Sequence, residues 1–171
     1  TYLNSGKQLL LVAHSQGNFF ANEAFRFMTT NDSTGIKDEM SVVSVANPDS
    51  YVSKNGQYTT LTKDAVVNTV RFAQKLAGEP RALPGNVDNG WISSLLNDWS
   101  GHTFISAYMS EGTKSFVNII DSTKNSLLEL GSSKTNTISL LIYMDKTYAC
   151  TYYKWGVLLY GRSKGIYLPS I

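Results

Sequence analysis

Hydrophobic and polar positions fall into blocks along this chain, and the period within each block predicts its element. The apolar run QLLLVA, residues 8–13, has the length and composition of a strand buried on both faces of a parallel sheet. From Asn18 to Thr29 the period changes, and Phe19, Phe20, Ala24, Phe27 and Met28 recur at helical spacing. A polar loop, TNDSTGIKDE, leads into a second apolar strand, MSVVSVA, stopped by Asn47-Pro48-Asp49. QYTTLT reads as a third strand. After Lys63-Asp64, the positions of Ala65, Val66, Val67, Val70, Phe72, Ala73 and Leu76 describe a helix ending at Gly78. RALPGNV reads as a short fourth strand. Residues 103–130 carry one or two amphipathic helices, marked by Phe104, Ile105, Tyr108 and Met109 and then by Phe116, Val117, Ile119, Ile120, Leu127 and Leu128. This alternation predicts an α/β fold with a mostly parallel sheet flanked by helices.

Beyond residue 131 the character changes. GSSKTNTIS reads as a linker, and the short β-prone runs SLLIYM, TYACTYY, VLLYG and IYLP predict a hairpin or small antiparallel meander. The chain therefore divides into an α/β domain over 1–131 and a β-prone extension over 132–171. Charge sharpens this division. Residues 1–131 hold ten Lys/Arg against twelve Asp/Glu, whereas 132–171 hold five against one. Basic residues so sparse, set among tyrosine and leucine, exclude a nucleic-acid arm and suit a solvated face or one in contact with a membrane surface.

With 42% apolar and 16% charged residues, the 171-residue chain is not disordered and can bury one sizeable core. A single cysteine, Cys150, excludes an internal disulfide. The longest apolar-rich stretch, ISLLIYMDKTYACTYYKWGVLLY, is interrupted by Asp145, Lys146 and Lys154, which argues against a membrane span. No basic-then-apolar leader opens the sequence, and the compartment stays open. No metal site is expected, because two histidines and one cysteine lack ligand spacing. GEPRALPGN lacks the lysine and glycines of a phosphate loop, so no nucleotide cofactor is expected.

The junction between the first strand and the first helix, LLLVAHSQGNFF, carries the candidate chemistry. A serine raised on a sharp strand-to-helix turn needs very small residues two positions before and after it, because those positions crowd neighbouring backbone. Ala13 and Gly17 flank Ser15 in this way. The turn also sets the Gln16 N–H at a helix N-terminus, where partial positive charge stabilises an oxyanion. The competing reading is an ordinary serine in a strand–helix connection. The spacing alone is weak; the apolar strand before it and the helical pattern after it strengthen it.

LLLVAHSQGN resembles the nucleophile region of α/β-hydrolase-fold serine hydrolases of the lipase and esterase group. The resemblance spans about residues 5–130 and matches the latter half of that fold. It implies Ser15 as nucleophile, Gln16 as one oxyanion donor, and an acid and a histidine following in that order. A serine needs a base, and the chain has two histidines. His14, beside the nucleophile, reads as a packed turn residue. His102, in DWSGHTFISAYM, resembles the family's catalytic-histidine loop, with Gly101 letting the backbone bend. Asp64, at a strand end before a valine pair, is similar to the family's acid turn, although as a helix N-cap it would have a competing role. Asp49, after the second strand, is the alternative acid, and Asp88 and Asp98 read as solvated loop residues. Trp91, Ile92, Leu95, Leu96 and Trp99 either line an acyl pocket or lid, or pack beneath the histidine loop.

The family would place several strands upstream of Leu9, together with the loop bearing a second oxyanion donor. The chain opens on Thr1 with eight residues before Leu9, so an open edge beside Ser15 and self-association through it are expected. Three functions follow. The first is a serine hydrolase acting without a cofactor on a small-molecule or lipid acyl substrate. The second is a truncated, inactive derivative. The third is a non-enzymatic interaction module using the sheet edge or the basic tail.

Overall fold

The computed structural model describes residues 8–30, 35–90, 98–131 and 138–143. Strand β1 (Gln8–His14) turns at Ser15 and Gln16 into helix α1 (Gly17–Thr29), and β2 (Met40–Val45) follows. Then come β3 (Tyr58–Thr59), α2 (Ala65–Ala77), a single π-helical turn at Phe104–Tyr108, helix α3 (Lys114–Gly131) and β4 (Ile138–Tyr143). The sheet order is β3-β2-β1-β4, with every pairing parallel. A parallel sheet with flanking helices is the α/β class that the alternation predicts.

Period-two alternation sends β1 and β2 side chains to two separate cores. Leu10, Val12, Val43 and Val45 pack with Leu61, Val67, Phe104, Tyr108, Ile119 and Leu130, on the face covered by α2, α3 and the π-turn. Leu11, Ala13, Met40 and Val42 pack with Ala21, Phe25 and Met28 of α1 on the other face. Fully burying one such Leu, Val or Met side chain contributes about 1.5–3 kcal/mol. Both faces are covered, which is why these strands read as unbroken apolar runs.

Four expectations need correction. Helix α1 has its predicted extent but not the face its apolar residues suggest: Phe20 and Phe27 are 63% and 81% exposed, while Asn18 and Asn22 are 1% exposed. The turn at Ser15 sets the helix's rotation and aims residues 18, 21, 22 and 25 inward, so hydrophobicity does not choose the face. QYTTLT yields a strand of only two residues, Tyr58 and Thr59. Asn86 donates its side-chain N–H to the Tyr58 carbonyl and accepts the Thr60 N–H, so it takes backbone groups on the edge away from β2 that a fourth strand would pair. RALPGNV is correspondingly not a strand, and one bridge joins Val87 to Leu61.

The fourth correction concerns the edge beside Ser15. Ile138–Tyr143 pairs with β1 in parallel over Gln8–Ala13, so the strand carrying the turn has neighbours on both sides. These residues join the main sheet, and the open edge expected along β1 is filled. The other β-prone runs of the extension, and Cys150, lie outside the described residues. No helix among the described residues is long and apolar enough to cross a membrane.

Candidate active site

β1 and β2 run in register up to His14 and Val45, and the Ser15 N–H continues the ladder onto the Val45 carbonyl at 3.1 Å. Ser15 itself has φ 54°, a left-handed conformation that a non-glycine residue rarely adopts and that costs roughly 1–3 kcal/mol. Buried Asn18 braces it. Its side-chain N–H groups reach the carbonyls of Ser15 (2.8 Å) and Val45 (2.9 Å), and its oxygen accepts the Ser44 hydroxyl at 2.5 Å. Gln16 is the N-cap of α1, and its N–H meets no acceptor among the described residues.

Ser15, His102 and Asp64 converge. The Ser15 Oγ lies 2.8 Å from His102 Nε2, and His102 Nδ1 lies 2.8 and 3.0 Å from the two Asp64 oxygens. The Asp64 side chain is wholly buried and that of His102 is 17% exposed. Asp64 is also the N-cap of α2, its Oδ1 accepting the Val67 N–H at 2.9 Å. The capping and orienting roles do not compete, because a carboxylate offers about four lone-pair sites. Asp49, the alternative acid, is elsewhere. Its carboxylate accepts from the Asn22 side chain and the Ser50 N–H, within the loop after β2.

The histidine loop is held by a residue the sequence reading set aside. Asp98 reads as solvated, yet it accepts the N–H groups of Ser100, His102 and Thr103 and the Ser100 hydroxyl, at 2.6–3.0 Å. Burial opposes its ionisation, but these donors outweigh that and hold its pKa at about 2. Asp-x-Ser is a turn-forming pattern, a signal present in the sequence itself. Gly101 makes the loop's approach feasible: its φ is 63°, and a Cβ there would stand 3.3 Å from the Lys63 carbonyl oxygen. The Ala65 N–H meets the Ser100 carbonyl at 2.9 Å and ties the loop to the start of α2. Asp88 is a surface residue 3.5 Å from Lys63 Nζ.

His14 is packed, as expected, but its partner is distant in sequence. Its Nε2 lies 2.8 Å from the His102 carbonyl oxygen, and its ring meets those of His102, Phe104 and Tyr108. Tyr108, unmarked by any sequence motif, donates its hydroxyl to Asp64 Oδ2 at 2.7 Å. Trp99 is 84% exposed, so it does not pack beneath the loop; residues 91–97, with the rest of that apolar group, lie outside the described residues.

A cavity of about 360 Å³ opens at the start of α3, among Asn86, Asp88, Lys114 and Val117, and none of Ser15, Asp64 and His102 lines it. Among the described residues no group of three or more His, Cys, Asp or Glu could hold a metal ion. Searches of protein-family models, curated proteins and solved structures returned no match to this chain.

Proposed function

We propose that this chain is a serine hydrolase of the α/β-hydrolase type, cleaving a carboxylic ester or related acyl substrate through an acyl-enzyme on Ser15. The observation that carries the reading is the unbroken hydrogen-bonded relay from the Ser15 Oγ through both nitrogens of His102 to a buried carboxylate. Its supports are the strained backbone at Ser15 and the chain order of nucleophile, acid and histidine.

In this mechanism the Ser15 Oγ bonds to the acyl carbon while its proton passes to His102 Nε2. Asp64 holds Nδ1 protonated and stabilises the imidazolium that forms. The carbonyl oxygen takes negative charge and draws on the Gln16 N–H at the α1 N-terminus, a type of donor whose removal costs roughly 100- to 1,000-fold in turnover. Collapse expels the alcohol or other leaving group, which takes the proton from Nε2. Water then repeats the sequence on the acyl-enzyme and frees Ser15.

Labelling of the folded chain by a fluorophosphonate probe tests the proposal. Labelling is expected in the wild type and is expected to vanish in Ser15→Ala and His102→Ala. A folded wild type that does not label, or a Ser15→Ala variant that still does, overturns it.

A further inference from the structure

We infer that Tyr108 is a positioning residue that holds Asp64, and through it His102, in working geometry; this rests on the hydrolase reading above. An ionised carboxylate with no solvent exposure is tolerated only when donors meet its lone pairs. Asp64 has the Val67 N–H on one oxygen, the Tyr108 hydroxyl on the other, and His102 Nδ1 across both. Without the tyrosine, Oδ2 keeps only the imidazole, which is the group it must orient.

The direction of the Tyr108 proton follows from its neighbours. Its oxygen lies 2.9 Å from the Leu61 N–H, which can only donate, so the hydroxyl proton points to Asp64. Tyr108 is 0% exposed. Burial first, and the adjacent Asp64 charge second, push its pKa well above the usual tyrosine value, so it remains a donor across the physiological range. The backbone is adapted to this contact. Phe104–Tyr108 forms one π-turn, in which the Ala107 and Tyr108 N–H groups share the Thr103 carbonyl and the Met109 N–H bonds that of Phe104. A widened turn of this kind is uncommon and recurs at functional sites. It lets two residues six positions apart, His102 and Tyr108, meet the same carboxylate.

A double-mutant cycle separates this role from ordinary core packing. Tyr108→Phe is expected to slow turnover and probe labelling roughly 10- to 100-fold, the loss of one hydrogen bond to a charged group, with KM nearly unchanged. In an Asp64→Asn background the same change is expected to cost about twofold or less. Equal losses in both backgrounds, or none in the wild type, overturn the inference. Tyr108→Phe also strips the Leu61 N–H of its acceptor. If that variant fails to fold, 4-fluorophenylalanine at position 108 keeps the shape and removes the donor. Proton NMR of the His102 Nδ1–H, assigned by its loss in Asp64→Asn, reads the same contact without turnover: the resonance is expected to shift when the Tyr108 donor is removed. An unmoved resonance overturns the positioning role even in a chain that does not label, whereas absent wild-type labelling overturns the hydrolase reading.

Discussion

At Ser15 the backbone does the holding. The β1–β2 ladder runs to the turn, a strained φ raises the side chain, and one buried amide, Asn18, braces the carbonyls around it. At His102 no ladder arrives. A single carboxylate, Asp98, gathers N–H groups on either side of Gly101, and a second, Asp64, fixes the ring. The two regions meet at one hydrogen bond, yet the first is anchored to the centre of a sheet and the second to two acidic side chains. The contrast predicts different failures: the turn should lose stability before geometry, and the loop should respond to charge and pH.

The largest expected effect comes from Asp64→Asn. It keeps the size of the side chain but favours the wrong imidazole tautomer, and roughly 10⁴-fold of kcat should be lost while the fold persists. Steady-state kinetics on an activated ester, with circular dichroism as the control for folding, checks this; retained kcat would show that the loop works without its carboxylate. Next in size is Asn18→Ala, which leaves the Ser44 hydroxyl without its acceptor and opens space beneath the turn. Urea denaturation should show a loss of about 2–3 kcal/mol, with kcat per folded molecule changed less than about threefold because the ladder still sets Ser15. A collapse of kcat in well-folded protein would instead make Asn18 part of the catalytic geometry.

The smallest effect is expected at Asp98. Its folded-state pKa of about 2 lies below the ordinary aspartate value near 4, so the unfolded chain binds that proton more readily. The stability it contributes is therefore present above about pH 4 and is lost as pH falls through about 2. Asp98→Asn should cost about 1–2 kcal/mol at neutral pH and flatten the fall in stability between pH 4 and 2. Denaturation curves across that range measure it, and a variant with an unchanged acid slope would refute the assignment.

Legibility in the sequence follows the same division. The turn could be read because its requirements are local: small residues at 13 and 17, an apolar run before, a helical period after. Asp64 and His102 could be proposed from their places at a strand end and in a glycine-bearing loop, with Asp49 as the alternative acid; that Asp49 bonds to Asn22 and Ser50 instead is visible only in the fold. Asp98 carries a local turn signal in Asp-x-Ser, but its bonds to the His102 and Thr103 N–H groups depend on how the loop closes, which composition does not show. The inward face of α1 is not legible because the turn that launches the helix overrides the spacing of its phenylalanines.

By itself the sequence determined the α/β alternation, the strand–turn–helix unit at Ser15 and the two ends of α2, since each depends on residues within a few positions of one another. Only the tertiary structure decided that Ile138–Tyr143 lies beside β1, that Asp64, the cap of α2, also meets His102, and that Tyr108 joins them. Those contacts join residues tens of positions apart. Their energies depend on burial and on the direction of single protons, neither of which exists until the sheet and its two cores have formed.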